Sequence, residues 1–310
     1  MRSNSVPALF VLFASLVLSG CGGGGGSSPA PIAPGPPAAG PSAAPSATPT
    51  TSATAAPASR TFTGRIIDGD HGNAPVDGAT VTLGTTLAYA AGGYAVRGTT
   101  ATAKTAADGT FSIAATAAQL FFEVDAPGLV SLHRPLPPAS AAFGDLTLPT
   151  ATSEDLAGLA ELNKNRAQLG HGNGAVALTL DADLELLARY RVNDMATNGY
   201  FGHTAPGQTR GATEVYLCTI AVGAFCATPV GYPIYDQENL DADASSQAQA
   251  EDGYIALGSH DGHYQNVISK TDLWIGFGEA LNGKVSPGFG GVTQSYFAEE
   301  FFTSTPNADP

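Results

Sequence analysis

Six histidines carry most of the candidate chemistry in this 310-residue chain. His203 follows Gly199-Tyr200-Phe201-Gly202, where a helical pattern ends, so it is turned out just past a helix terminus. His260 and His263 stand at i and i+3, a spacing that serves a polar turn as readily as a chelate. Glu238 is followed by Asp241 and Asp243, but their spacing lacks the EF-hand pattern, and the two aspartates read as helix-capping residues. His71, His133 and His171 stand alone and read as solvated loop residues. Serines are plentiful, yet no Gly-x-Ser-x-Gly elbow presents one as a nucleophile.

Short periodic elements must position these groups. Ser153 opens a helical pattern with Glu154 and Asp155 in its first turn, where acids favour the helix dipole. Leu156, Leu159 and Asn163 fall on one face, and Gly170 closes the helix. Asp181 caps a second helix with an apolar stripe of Leu184, Leu187, Ala188 and Met195, ended by Asn198-Gly199. Weaker helical stretches run over about 208–217 and 245–257, and residues 274–280 and 294–301 read as strands. Helices first and strands late make residues 151–310 a mixed α/β domain of sandwiched layers.

Upstream, residues 60–150 read as a small antiparallel β-sandwich. Thr61 to Ile67 and Ala79 to Leu83 alternate, Asp108-Gly109 is a hairpin signal ahead of Phe111 and Ile113, and Leu120–Val124 and Leu129–Leu132 supply further strands. No nucleophile or ligand cluster stands in this region, so it reads as a spacer or an adhesive module. Its residues Gly64, Ile66, Pro75, Val76, Gly78, Ala79, Val81 and Leu83, then Thr105, Asp108, Gly109 and Phe111, resemble the carboxypeptidase regulatory-like domain. That resemblance implies a transthyretin-like sandwich that is a non-catalytic appendage.

The first sixty residues are of another kind. Arg2 precedes an apolar run from Val6 to Leu18 that is too short to span a bilayer, and Leu18-Ser19-Gly20-Cys21 resembles the lipobox of bacterial lipoproteins. The resemblance implies a signal peptide over 1–20, cut before a lipidated Cys21. Residues 22–59 are Gly/Pro/Ala/Ser-rich and uncharged, so 21–59 form a disordered tether. The expected location is an exported, membrane-anchored lipoprotein, at the outer membrane or cell surface. Cys218 and Cys226 then remain as an even pair in an oxidising compartment, which predicts a structural disulfide. The chain holds 13 basic and 27 acidic side chains, a net charge of −14. Residues 151–310 account for 7 of the basic and 20 of the acidic ones, a balance that attracts cations and argues against a nucleic-acid partner.

Residues 151–310 resemble the CAP family, the cysteine-rich secretory, antigen 5 and pathogenesis-related 1 proteins. Asn163 and Arg166 match its first-helix Asn-x-x-Arg pattern, and Leu178, Leu184, Ala188 and Met195 lead to Gly199-Tyr200-Phe201-Gly202-His203. Glu238-Asn239-Leu240 is like the Gly-Glu-Asn-Leu segment, and Gly262-His263 with Asn266, Val267 and Ile268 is like the Gly-His-x-x-Asn-Ile-Leu segment. Ile275–Gly278 and Tyr296–Phe301 look like the closing strands. Gln237 replaces the usual glycine, and Tyr254 or Leu257 stands where a helix tryptophan is common. The resemblance implies an α-β-α sandwich CAP domain at the end of a multidomain chain.

It also implies a cleft that gathers His203, Glu238 and His263, with Glu251 or His260 as a fourth ligand-binding residue. Two imidazoles and a carboxylate suit zinc or another divalent cation, whose bound water could support hydrolysis. The same residues could instead form hydrogen-bonded His–Glu couples that hold the cleft walls together. The leading expectation is a binding protein for a hydrophobic small molecule, such as a lipid, or for a cell-surface partner. The insert from about Gly211 to Asp236 would add specificity through Val215, Leu217, Ile220 and Phe225. The alternative is a metal-dependent hydrolase acting on envelope peptides or peptidoglycan, and a purely structural envelope protein is a third possibility.

Overall fold

A computed structural model describes residues 59–303 apart from 91–92, 99, 117, 138, 171–173, 210–236 and 292. Cys21, the tether, His171, Cys218, Cys226, the insert and nearly all of the stretch over 208–217 lie outside these residues. Gln208 and Thr209, which are described, are not helical. No helix among the described residues is long and apolar enough to cross a membrane.

The N-terminal module consists of β1 (Arg60–Asp68), β2 (Ala74–Pro75), β3 (Thr80–Gly84), β4 (Thr86–Ala90), β5 (Gly93–Arg97), β6 (Ala101–Lys104), β7 (Thr110–Ala115), β8 (Phe121–Asp125), β9 (Leu132–Pro135) and β10 (Ala141–Leu148). β10, β2 and β7 all pair with β1, and a second sheet runs β6-β3-β8-β9. Alternation turns Phe62 and Ile66 of β1 and Phe111 and Ile113 of β7 into one cluster with Val81, Leu83, Phe122 and Val124 of the second sheet. Three expectations change. β1 and β10 pair in parallel, which two strands at opposite ends of the module can do because no hairpin joins them. The Asp108-Gly109 turn forms with Gly109 at φ 78°, but β6 and β7 do not pair; the turn carries the chain from one sheet to the other. Leu129 bonds back to Ala126 in a turn through Gly128, which delays the strand to Leu132–Pro135.

The C-terminal region holds α1 (Ser153–Leu169), β11 (Thr179–Leu180), α2 (Ala182–Asn198), β12 (Gln237–Ala242), α3 (Gln247–Ala256), α4 (Gly262–Val267), β13 (Asp272–Gly283) and β14 (Gln294–Thr303). Its sheet runs β11-β13-β14-β12, which leaves β12 at an edge. α2 packs Ala188, Val192 and Met195 on Tyr296, Ala298 and Leu240 from one face of the sheet. From the other face Ile275, Phe277, Phe297 and Phe301 meet Leu162 of α1 and Ala250 and Tyr254 of α3. Helix layers thus cover both faces. Gly276 and Gly278 permit the close approach of α2, since a Cβ would stand 2.0 Å from the Leu184 carbonyl carbon and 2.3 Å from that of Ala188.

Caps set the helix limits as the sequence suggests. Asp181 accepts from Asp183 N and Leu184 N, and Gly199 ends α2 at φ 69°. The expected face of α1 holds for Leu159, which packs on the core, and for Asn163, which bonds to Leu178, but the buried stripe is rotated away from Leu156. Leu156 is exposed, while Asn165 and Arg166 are buried beside Leu162. Arg166 donates to the carbonyls of Val176, Val267 and Ser269, so hydrogen bonding acts together with the apolar contacts of Leu162 and Leu159 in selecting the buried face.

The N-terminal module is joined to α2 and is no simple spacer. Arg134 on β9 makes two bonds to Asp183, Nε–Oδ2 2.6 Å and Nη2–Oδ1 2.8 Å, with both side chains buried. His133, expected on the surface, is buried: its backbone N and ring Nδ1 lie 2.8 and 3.0 Å from Asp181 Oδ2, and its ring stacks on Trp274 at 4.6 Å. His71 is exposed as expected and bonds to Asp68.

Candidate functional site

Edge strand β12 organises the cleft because alternate residues face opposite layers. Glu238 points to the α2 side and Asn239 to the α3 side. Gln237 is extended strand paired with Phe301, so no turn is needed where the glycine was expected. On the α2 side, Glu238 Oε1 accepts from Arg191 Nε at 2.6 Å, and Oε2 lies 2.5 Å from His203 Nδ1. Arg191 also donates to Tyr200 Oη at 2.9 Å and to the Gly202 carbonyl at 2.5 Å. Tyr200 donates in turn to Asp194. The left-handed Gly199 and Gly202 at φ 136° turn the chain so that His203 returns over β12.

Electrostatics follow from this closure. Burial works to raise the Glu238 pKa, but the hydrogen bond with His203 and the charge of Arg191 outweigh it and leave the carboxyl below its ordinary value. Burial and the bond to Asp194 push the Tyr200 phenol up. The His203 ring remains about one-third exposed. With Nδ1 committed to Glu238, Nε2 is the nitrogen left to face outward.

The other wall comes from α4. Asp261 caps it and holds both the backbone N and the ring Nδ1 of His263 at 2.8 Å. The His263 ring lies 6.0 Å from that of His203 and 5.5 Å from Tyr254, close to parallel with each. Tyr254 therefore occupies the place behind the histidine, while Leu257 is exposed. Asn239 Nδ2 donates to the His263 carbonyl at 3.3 Å, and Asn266 Nδ2 to Asn239 Oδ1 at 2.8 Å, which ties α4 to β12.

The structure brings His203, Glu238 and His263 together, but not as a metal set. Both Glu238 oxygens are engaged, one by a guanidinium whose charge opposes a second cation. Among the described residues no group of three or more His, Cys, Asp or Glu is placed to hold a metal ion. The residues as arranged do not fit the zinc or other divalent cation expected from the sequence. His203 and Glu238 form one of the expected His–Glu couples, whereas His263 pairs with Asp261, the cap of its own helix, and not with a glutamate.

Neither candidate for a fourth member joins them. Glu251 is fully buried on α3 beside Asn165 and Glu299, and His260 is exposed in the turn before α4. Asp241 and Asp243 do not cap a helix. Asp241 accepts from Ala244 N and Asp243 takes φ 74° in the turn after β12, while Ser246 caps α3.

Arg191, Asp194 and Asp261 escaped the sequence reading. Arg191 sits among helix residues where an arginine reads as surface, and only its burial reveals the role. The Asp261-Gly262-His263 spacing is the signal that could have identified the partner of His263, because a capping aspartate reaches two residues ahead. Phe201, two residues before His203 in the chain, packs edge to face on Phe289 at 5.7 Å, and both stay exposed.

No curated protein shows a significant match to the chain. Among the solved structures similar to it, three that align with about a third of the chain illustrate the likeness. The dioxygenase domain of a dioxygenase carbohydrate-binding protein fusion from Streptomyces sp. SirexAA-E has 19% identity over 33% of this chain and 85% of that one, with a TM-score of 0.22. A streptococcal ancillary pilin has 13% identity over 31% and 30% of the two chains, with a TM-score of 0.21. The Bacillus anthracis TIE protein has 12% identity over 30% and 17%, with a TM-score of 0.20. Likeness at that level carries no argument about fold or function. Residues 159–288 match the model of the cysteine-rich secretory protein family, CAP, and this match, which spans α1 to β13, supports a CAP domain in the C-terminal region.

Proposed function

We propose that the CAP domain binds a ligand or partner at the cleft over β12, with His203 and His263 as its polar contacts. The observation that carries this reading is the pairing of two partly exposed imidazoles whose Nδ1 atoms are each held by a carboxylate. That arrangement turns both Nε2 atoms toward an incoming group. The exposed Phe201–Phe289 pair adds an apolar flank, which suits a hydrophobic molecule such as a lipid. Lipid extraction of the purified chain followed by mass spectrometry tests it. Bound lipid should be retained by the natural chain and lost from His203→Ala and His263→Ala; equal retention by all three would sink the proposal.

A second reading, hydrolysis of envelope peptides or peptidoglycan, draws on the same couple. Glu238 holding Nδ1 leaves Nε2 of His203 as a proton acceptor, the geometry of a general base. Peptide release that His203→Ala abolishes would promote this reading over binding. Export and anchoring through lipid on Cys21 complete the proposal, and they rest on the lipobox-like Leu18–Cys21 and the uncharged tract that follows.

A further inference from the structure

Beneath the cleft, on the α3 side of the sheet, Glu299 alternates with Phe297 and Phe301 and so points into the core. Glu251 of α3 faces it, and both side chains are fully buried. Each carboxyl has one oxygen held by an amide: Asn165 Nδ2 donates to Glu251 Oε1 at 3.3 Å, and Asn239 Nδ2 to Glu299 Oε2 at 3.0 Å. Among the described residues no donor reaches the remaining oxygens, Glu251 Oε2 and Glu299 Oε1. The two carboxyls are within hydrogen-bonding reach of each other. Two buried carboxylates cannot face each other in this way with both ionised, whereas one proton between them satisfies both orphan oxygens.

We propose that Glu251 and Glu299 share one proton, and that this proton is a latch holding α3 against β14 and Tyr254 behind His263. Its loss would place two like charges in the core between α3 and β14 and release the helix. The surroundings offer little to replace it. Glu161 and Arg166 face the pair from α1, Asp252 and Tyr254 lie on α3 itself, Asp241 belongs to β12, and His263 of α4 lies behind Tyr254. Arg166 is the one cation among them with a permanent charge, and its hydrogen bonds go to carbonyls. Burial raises both carboxyl pKa values, that of Glu299 well above the ordinary one, which agrees with the geometry.

Hydrogen exchange of the full chain, followed by residue against pH, tests the latch. Above the midpoint at which the proton leaves, amides of residues 247–256 should exchange about tenfold faster per pH unit beyond intrinsic catalysis, the slope of a one-proton opening. Glu299→Gln supplies a permanent donor without a charge and should remove that slope. Glu251→Gln serves the same purpose if the first variant does not fold. An infrared titration of the natural chain needs no variant: a buried protonated-carboxyl band should persist at neutral pH and vanish together with α3 protection. Absence of that band at neutral pH, or an equal slope in natural and Gln chains, would overturn the proposal. Ligand retention is not read in this experiment, so its failure leaves the cleft reading standing.

Discussion

Arg191 and Glu238 are buried together, 47 residues apart in the chain, with Arg191 Nε 2.6 Å from Glu238 Oε1. This pair connects the middle of α2 to the edge strand, and through Glu238 it sets the orientation of His203. A guanidinium is needed because it serves Glu238, Tyr200 and the Gly202 carbonyl with three different nitrogens.

Arg191→Met should therefore lower stability by about 3–5 kcal/mol, because it strands a buried carboxylate. Urea unfolding measures the loss. The double variant with Glu238→Gln should recover part of it, and Arg191→Lys should not match the natural chain.

At the junction of the two modules, Arg134→Ala should cost about 3–5 kcal/mol by leaving Asp183 buried and unpaired. Calorimetry should show one transition for the natural chain, since β9 and α2 share a buried ion pair, and two for the variant. A single unchanged transition in Arg134→Ala would mean that the contact does not couple the modules.

Stability should decline as pH rises from about 4 to 7. Burial raises the Asp183 carboxyl from 3.8 to about 6, against the pull of Arg134. The folded form then keeps a proton that the unfolded form has already lost, so its stability advantage is full below 3.8 and gone above about 6. Glu185, Glu251 and Glu299 are also raised by burial and act in the same direction, whereas Glu238 and Asp261 are lowered and oppose it. Thermal melts across this range should place the highest Tm on the acidic side of neutrality.

Gly278→Ala should destabilise by about 1–3 kcal/mol although it adds a single methyl group, because α2 backbone occupies that position. An equivalent change at exposed Gly290, where a Cβ meets nothing within 4 Å, should be nearly neutral. Comparing the two melting temperatures separates close packing from a general loss of glycine.

Cys21→Ala should move the protein from the membrane fraction to the soluble one, with no change in the melting of the folded region. A membrane fraction that keeps the variant would remove the lipid-anchor reading.

Helix limits were legible in the chain because capping is local: Asp181 reaches amides two and three residues ahead, and Gly170 and Gly199 stand where α1 and α2 stop. Alternation likewise placed β1 and β3, since the inward face of a half-buried strand is written in its own residues, whereas β13 is buried on both faces and shows no such alternation. The acidic excess of residues 151–310 was equally plain. The order of motifs brought His203, Glu238 and His263 to one cleft through family resemblance. Composition could not say which acid meets which partner. The tertiary structure decided that Glu238 bonds to Arg191 and His203, that Glu251 faces Glu299, and that His133 is buried against Trp274. Each pairing joins residues from 35 to 141 positions apart, and burial, which alone makes such a pairing decisive for charge, exists only once the layers have closed.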